Sequence, residues 1–435
     1  MRKRKCDTHI DGVKKKWYTT FLIRVLERKE IMTDIQTANN MEQKQLNTSI
    51  MIMQCIGILS VVLGHAEIGL AEIPNILNLA FPYYSWHMPF FIFVSGYLFN
   101  RKRSLGRYVL GKCRTLLIPA LVVNFICGLF SMTLRHLGMV NYGKEITFER
   151  LFIMPFTTGY QFYINVSLWF IFALFTIELF SCLLDRLVRG KGDIAFTLIA
   201  LVVSVLCCVR VFFDHAGTRN SYFLAALRFG YLIFFFWLGI LYKSHLEKHL
   251  KRFLNLKTAM ILLCGMCAFY GITGYVTTYN TRSMKFTEIT VPNGFWVPIV
   301  IPLIGIAFFL SISYHLSPYL KNSRTIRWIS TNSRYIVYWH QLCFILFSFL
   351  LYALFKLNVL PKIEGFSHSD LYKKQYYVSK NNFVAMINVI FSIVMPIWVC
   401  TSLKKIKRKW VAALVGIGIV ALVIGYLWLV HSIIS

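Results

Sequence analysis

The sequence predicts an all-α polytopic membrane protein with about ten to eleven transmembrane helices. Of its 435 residues, 57% are hydrophobic and only 15% are charged, whereas soluble domains average about 25% charged residues. Apolar runs of roughly 20 residues, the length of a membrane-spanning helix, recur along the chain. No run alternates polar and apolar residues as the strands of membrane β-barrels do. The composition therefore excludes a disordered chain and argues against a soluble enzyme.

Eleven apolar runs are candidate spans, and they define the predicted organisation. We expect a basic N-terminal tail at 1–47, a membrane-embedded domain of about ten spans at 48–402, and a basic loop with one additional span at 403–435. The candidate spans are 48–66, 82–99, 115–134, 163–184, 194–213, 222–242, 258–278, 295–314, 335–355, 383–402 and 411–432.

The basic residues predict the orientation of these spans. The chain carries a net charge of +29. With a cytoplasmic N-terminus and alternating spans, the inner segments hold 34 Lys and Arg residues and the outer segments hold 11. This inner excess is typical of membrane proteins, and it puts the C-terminus outside. We therefore expect a lipid bilayer as partner and no nucleic acid.

The eleven cysteines predict neither a disulfide framework nor a metal centre. Nine of them lie inside apolar runs. Cys264 and Cys267 have the spacing of a metal or redox pair, but no second pair accompanies them. We expect these two to pack within the membrane, and we expect no bound metal.

Ionisable residues inside spans are costly and therefore mark functional candidates. His65 ends the first span, and Gln54 lies eleven residues before it on the same helical face. His87 lies about one turn inside the second span, so both histidines enter the membrane from the outer side. A neutral imidazole is a suitable general base, and His65 and His87 are the predicted catalytic pair. Taken alone, His65 also fits an interfacial residue at a span end.

The loop after the second span carries six basic residues and no acidic one. Its inner position alone explains this charge. An anionic ligand, such as the phosphates of a nucleotide-bearing donor, is a second explanation. The candidate donor contacts are Arg101, Lys102, Arg103, Lys112 and Arg114.

Two arginines, Arg210 and Arg228, lie within about two turns of the outer surface on the fifth and sixth spans. Snorkelling, or an ion pair of Arg210 with Asp214 one turn away, is the structural explanation. The functional explanation is a binding site for an anionic acceptor, such as a lipid-linked sugar phosphate.

Four stretches of the chain resemble the integral-membrane acyltransferase 3 family, and within it the fucose 4-O-acetylase-like branch. They are VVLGHA around His65, WHMPFFIFVSGYLF from Trp86 to Phe99, the basic loop running into LLIP at Leu116–Pro119, and Ser167-Leu168-Trp169-Phe170. A fifth and weaker match is Ile329–Ser333, which leads to His340. Together the stretches cover about residues 50–400.

The resemblance implies about ten spans and transfer of an acyl group, usually acetyl from cytoplasmic acetyl-CoA, to a hydroxyl of a cell-surface or lipid-linked sugar. It implies that His65 is the catalytic histidine. Two positions depart from the family pattern. Gln54 stands where Arg or Lys is usual, and Lys112 and Thr115 stand where the family has Arg-x-x-Arg. Because Gln54 cannot neutralise an anion, a non-catalytic member is an open alternative.

The predicted function is that of a membrane-bound O-acyltransferase of the bacterial plasma membrane, with acyl-CoA as co-substrate and no bound cofactor. His65 acts as general base or as transient acyl carrier, with His87 as its partner. His340, near the cytoplasmic end of its predicted span, is expected to be structural or to face the donor. The alternatives are a glycan exporter and a non-catalytic component of glycan assembly. The lack of an internal repeat argues against the exporter.

Overall fold

The structure is a computed structural model of the chain. It describes residues 48–66, 83–101, 104–138, 143–159, 161–188, 191–213, 220–273, 284, 294–360 and 382–434. The predicted tail at 1–47 lies outside the described residues, and so do the candidate donor contacts Lys102 and Arg103.

Within the described ranges, a helix occupies each of the eleven predicted spans, and no residue forms a β-strand. The helices are α1 (Thr48–Ala66), α2 (Tyr83–Tyr97), α3 (Leu105–His136), α4 (Tyr163–Leu187), α5 (Asp193–Phe213), α6 (Ser221–Phe253), α7 (Leu256–Thr273), α8 (Val297–Leu320), α9 (Arg324–Lys356), α10 (Asn382–Lys405) and α11 (Lys409–Ile434). Nine of these described helices, all except α2 and α7, are long and apolar enough to cross a membrane. The predicted all-α polytopic membrane fold is confirmed, and the orientation of its spans stays a prediction.

Helices α2 and α6 cross at two glycines, and this crossing forms the centre of the bundle. A Cβ atom on Gly96 would lie 2.0 Å from the carbonyl oxygen of Phe236, and one on Gly239 would lie 2.1 Å from that of Phe93. Only glycine lets the two backbones approach so closely, as in other membrane helix pairs. On another side of α2, the ring of Trp86 stacks on that of Phe309 of α8, with centroids 4.0 Å apart.

Helix α1 also packs closely against α2 at a glycine. A Cβ on Gly57 would lie 2.9 Å from the ring of Phe91. The side chains of Met53, Ile58 and Val62 are fully buried. Most of α1 is therefore enclosed by protein, and its last turn lies inside the bundle.

Helices α5 and α11 lie at the periphery, with long rows of exposed apolar side chains that suit contact with lipid. Each is joined to an inner helix by a side-chain hydrogen bond to a backbone carbonyl. Ser204 of α5 donates to the carbonyl of Tyr231 at 3.0 Å, and Tyr426 of α11 donates to that of Leu346 at 2.8 Å.

Three helices extend well beyond the apolar runs seen in the sequence. Helices α3 and α6 each contain a π-helical turn, at Cys113–Leu117 and Tyr242–Leu246. Helix α9 has 33 residues and begins at Arg324, where the side chain of Ser323 caps it. Because α9 begins well before the predicted span at 335–355, His340 lies near the middle of the helix. Its expected place near the cytoplasmic end of the span stays a prediction.

Candidate active site

Two histidines from helices far apart in the sequence meet inside the bundle. The imidazole rings of His65 on α1 and His340 on α9 have centroids 5.2 Å apart and are tilted by 37°. His65 is half-buried at the end of α1, whereas His340 is completely buried. The sequence analysis paired His65 with His87, and that pairing stays a prediction. His87 is also buried, on α2.

The hydrogen bonding of His340 determines which ring nitrogen carries its proton. Nδ1 lies 2.7 Å from the carbonyl oxygen of Ile336. A carbonyl oxygen only accepts hydrogen bonds, so Nδ1 of a neutral ring is the donor and Nε2 keeps its lone pair. Nε2 is buried and accepts no hydrogen bond from the part of the chain that is described. The site therefore contains a buried ring nitrogen with an unused lone pair, on the ring that lies against His65.

The residue after His340 ties α9 to the start of α4. The side-chain oxygen of Gln341 accepts hydrogen bonds from the backbone amide of Ser167 at 3.2 Å and from its hydroxyl at 3.4 Å. The same hydroxyl lies 3.0 Å from the carbonyl oxygen of Val337. All of these groups are buried. The Ser-Leu-Trp stretch that opens the fourth span thus fixes the turn of α9 that carries His340.

Further buried amides line the region before and at the start of α4. Gln161 donates to the carbonyl of Asn165 at 3.3 Å, and Asn165 itself has non-helical backbone angles within a 3₁₀ turn. Asn124 of α3 donates to the carbonyls of Arg150 and Leu151 at 3.2 and 3.1 Å. These hydrogen bonds hold the non-helical segment before α4 in place.

Arg228 lies beside this segment and is only 2% exposed. Its guanidinium donates to the carbonyl oxygen of Thr157 and lies over the ring of Trp169, 5.0 Å from the centroid. Gly159 makes this approach possible. It has a φ angle of +69°, and a Cβ there would lie 2.5 Å from that of Trp169. Arg228 also lines a cavity of about 500 Å³ between α4, α6 and residues 152–157.

Arg210, the other predicted acceptor contact, has a different environment. It is exposed at the end of α5 and lies over the ring of Phe223, 5.6 Å from the centroid. Its expected partner Asp214 lies outside the described residues. The structure therefore brings Arg228, and not Arg210, into the wall of the cavity.

At the other end of the bundle, two of the predicted donor contacts form ion pairs. Lys112 lies 2.7 Å from the carboxylate of Glu178, and Arg101 lies 3.0 Å from that of Asp185 and also pairs with Asp193. All three acids are buried. Burial lowers the pKa of Arg101, but its hydrogen bond to Asp193 and the nearby carboxylates outweigh this effect and raise it.

The other described donor contacts that the sequence predicts, Arg114 and Gln54, are more exposed than the acids of these ion pairs. Arg114 is exposed in the π-helical turn of α3. Gln54 is half-buried on α1, about 16 Å along the helix from His65.

The described residues contain no group of three or more His, Cys, Asp or Glu side chains arranged to hold a metal ion.

Sequence reasoning missed the positions of His340, Gln341 and Ser167 relative to His65. The only available signal was the weak match at Ile329–Ser333 together with the Ser-Leu-Trp stretch.

Comparison with known proteins gives one result for the same region. A family model described as an acyltransferase domain matches residues 47–369, which include both histidines. No curated protein and no solved structure matches the chain.

Proposed function

Since this chain belongs to the acyltransferase 3 family of integral-membrane proteins, we propose that it transfers an acyl group, in the first instance acetyl, from cytoplasmic acyl-CoA to a hydroxyl of a cell-surface or lipid-linked sugar. The family match and the helices support a multi-pass membrane acyltransferase. The donor, the acceptor and residence in a bacterial plasma membrane are parts of the proposal.

One observation carries the proposal, the contact between His65 and His340. A half-buried imidazole beside a fully buried one is a suitable arrangement for moving a proton in a site with little water. The second ring restricts the orientation of the first, and its Nε2 lone pair can accept a hydrogen bond from a protonated His65. His65 is therefore the proposed catalytic base, and His340 is a positioning residue.

In direct transfer, the hydroxyl oxygen attacks the thioester carbonyl while His65 takes the hydroxyl proton. The carbon–sulfur bond then breaks, and the proton passes to the sulfur of the departing CoA. In an acyl relay, a ring nitrogen of His65 attacks the thioester carbonyl, the carbon–sulfur bond breaks, and CoA leaves as the thiol with the proton from the ring. The sugar hydroxyl then attacks the acyl-imidazole, the carbon–nitrogen bond breaks, and the hydroxyl proton returns to the ring. In both routes, holding the thioester and the hydroxyl together supplies much of the rate.

The proposed donor site lies on the basic side of the bundle, with Arg114 and the loop residues Lys102 and Arg103 contacting the phosphates of CoA. Arg101 and Lys112 already neutralise buried carboxylates. Their proposed role is to hold the loop and the start of α3 in place. Gln54, on the same face of α1 as His65, lies along the path proposed for the acyl arm.

Mass spectrometry of surface glycans from cells with and without the gene tests the function. The proposal predicts that an acyl group is present on the glycan of wild-type cells and missing from the deletion strain. A glycan exporter would instead leave unmodified glycan inside the deletion strain. Glycans with unchanged acyl content and amount would refute both functions.

A further inference from the structure

Three buried carboxamides near the histidine pair have polar atoms that the described part of the protein does not use. They are Gln161 before α4, Asn165 in its first turn and Gln341 on α9, and their exposed fractions are 0%, 1% and 1%. The Gln161 oxygen, the Gln341 nitrogen and both side-chain polar atoms of Asn165 have no hydrogen-bond partner among the described residues. Buried polar atoms are rarely left in this state, because it costs free energy. A ligand or an ordered water that supplies the partners removes this cost.

The hydrogen bonds that two of these amides do make determine which atom remains. Gln161 donates to the carbonyl oxygen of Asn165 at 3.3 Å, so its nitrogen is engaged and its oxygen remains as an acceptor. Gln341 accepts from the backbone N–H of Ser167 at 3.2 Å, so its oxygen is engaged and its nitrogen remains as a donor. A carbonyl oxygen only accepts and a backbone N–H only donates, which excludes the flipped assignment of either amide.

Asn165 adds one donor group and one acceptor oxygen in either orientation of its amide. Cys127 of α3 lies beside this amide, and a thiol is at most a weak hydrogen-bond partner. The three carboxamides together therefore present two donor groups, on Gln341 and Asn165, and two acceptor oxygens, on Gln161 and Asn165.

This mixture of donors and acceptors determines the class of ligand that fits. A hydroxyl group donates one hydrogen bond and accepts two, so a ring with several hydroxyls complements all of these atoms. A phosphate or an ionised carboxylate offers acceptors alone, and it would place negative charge against the oxygens of Gln161 and Asn165. An ammonium group offers donors alone and would leave both nitrogens without partners. The set therefore fits an uncharged sugar.

A continuous chain of contacts joins these amides to the proposed catalytic base. Asn165 lies two residues before Ser167, whose backbone amide and hydroxyl both bond to Gln341. Gln341 follows His340 directly, and the Cα atoms of consecutive residues are about 3.8 Å apart. The ring of His340 lies against that of His65. The amides are therefore close neighbours of the histidine pair.

We propose that the carboxamides of Gln161, Asn165 and Gln341 form the subsite that holds an uncharged sugar ring of the acceptor, with the ring hydroxyls as their hydrogen-bond partners. This inference rests on the proposed function. It narrows the acceptor to a ring without a carboxylate, phosphate or amine group, and the hydroxyl that His65 deprotonates belongs to the same ring.

Tandem mass spectrometry of surface glycans tests the class of acceptor. Glycans from the wild-type strain and from the deletion strain are compared, and the ring that carries the gene-dependent acyl group is identified by fragmentation. An uncharged hexose, deoxyhexose or N-acetylhexosamine is the expected result. A uronic acid, or another charged ring, in that place would overturn the inference.

Asn165→Leu tests the subsite itself. The side chain of Asn165 makes no hydrogen bond to the described residues, so its replacement by an apolar one of similar size should leave thermal stability equal to or above that of the wild type. In the deletion strain, at equal protein level, glycan acylation should fall at least tenfold, because the acceptor loses its hydrogen bonds. Binding of tritiated acetyl-CoA to the purified full-length protein should stay within threefold of wild type.

Asn388→Leu is the matched control. Asn388 is a buried amide of α10 that hydrogen-bonds to Ser348 and Ser392, both at 3.4 Å. Its replacement should lower thermal stability, because it leaves these partners unsatisfied. Glycan acylation at equal protein level should stay within threefold of wild type. The two variants should therefore have opposite effects on stability and on acylation.

Gln161→Met is the second variant, and it decides the case in which Asn165→Leu lowers both stability and acylation. It removes the acceptor oxygen of Gln161, and acylation should fall at least tenfold. Normal acylation by Gln161→Met in that case would overturn the inference. A loss of stability with normal acylation in Asn165→Leu would also overturn it, because the amides would then bind an ordered water only.

The outcomes separate this inference from the proposed function. Glycans without any gene-dependent acyl group would refute the acyltransferase proposal, and the subsite with it. Gene-dependent acylation that Asn165→Leu and Gln161→Met leave unchanged would refute the subsite alone.

Discussion

The ring of His340 lies 5.2 Å from that of His65, centroid to centroid, with its Nδ1 turned to the carbonyl of Ile336. This contact joins the first and ninth described helices inside the bundle. It gives His65 a neighbour whose orientation and, in the neutral ring, whose tautomer are set by a hydrogen bond within its own helix. The two nitrogens of His340 therefore have separate roles, and substitutions can distinguish them.

His340→Gln should retain more activity than His340→Asn. The glutamine oxygen can take the place of Nε2 as an acceptor beside His65, whereas asparagine reproduces only the Nδ1 donor to Ile336. We expect kcat to fall about tenfold in the first variant and at least about a hundredfold in the second, with the KM for acyl-CoA within threefold of wild type. Steady-state kinetics in detergent measure this. Equal losses in both variants would assign His340 a packing role.

A double-mutant cycle at Lys112 and Glu178 separates structure from donor binding. Lys112→Met leaves a buried carboxylate without its partner, which we expect to cost about 3 kcal/mol of stability. Adding Glu178→Gln should restore most of that stability, because the buried charge is gone. Thermal unfolding in detergent measures the stability of each variant. In the double variant, the KM for acyl-CoA should remain within threefold of wild type.

The double-mutant cycle at Lys112 and Glu178 also has an outcome that would contradict a purely structural role for Lys112. A KM for acyl-CoA that stays raised tenfold or more after stability has been restored would mean that Lys112 contacts the donor. The same measurement on Arg114→Gln, an exposed residue of the adjacent turn, provides the comparison. There the KM should rise while stability is unchanged.

Gly96→Ala should destabilise the bundle by more than about 3 kcal/mol, because the added Cβ would overlap the carbonyl oxygen of Phe236. Both partners are helix backbones, so neither can move without separating α2 from α6. Gly265→Ala on α7 is the matched control, since no heavy atom lies within 4 Å of its Cβ position. Thermal unfolding of the two variants should differ clearly. A Gly96→Ala protein as stable as the control would contradict the close crossing.

Hydropathy predicts where the helices are, because burying apolar side chains in lipid is a local property of each segment. All eleven predicted spans coincide with helices among the described residues. The same property does not predict the length of α9, since its first turns are amphipathic and lie outside the apolar run. The sequence also put His65 at the outer end of its span and His340 near the cytoplasmic end of its own, whereas the centroids of the two rings lie 5.2 Å apart.

Local sequence patterns also do not predict which helices pack against each other. The sequence indicated His65 because an ionisable side chain is costly in a span. It offered His87 as partner because α2 follows α1 in the chain. The structure adds a neighbour from α9, His340, whose helix is held at this place by the hydrogen bonds of Ser167 to Val337 and Gln341. Arg228 was predicted as a site residue, but its cavity depends on residues 152–157, which carry no motif.

The most direct measurement replaces His65 by alanine in a strain that lacks the chromosomal gene. Surface glycans from this strain and from one carrying the wild-type gene are compared by mass spectrometry, with the amount of protein in the membrane fraction matched between them. Wild type should restore the acyl group, and His65→Ala should leave the glycan unmodified. Full acylation with His65→Ala, at equal protein level, would contradict the assignment of His65 as the catalytic base.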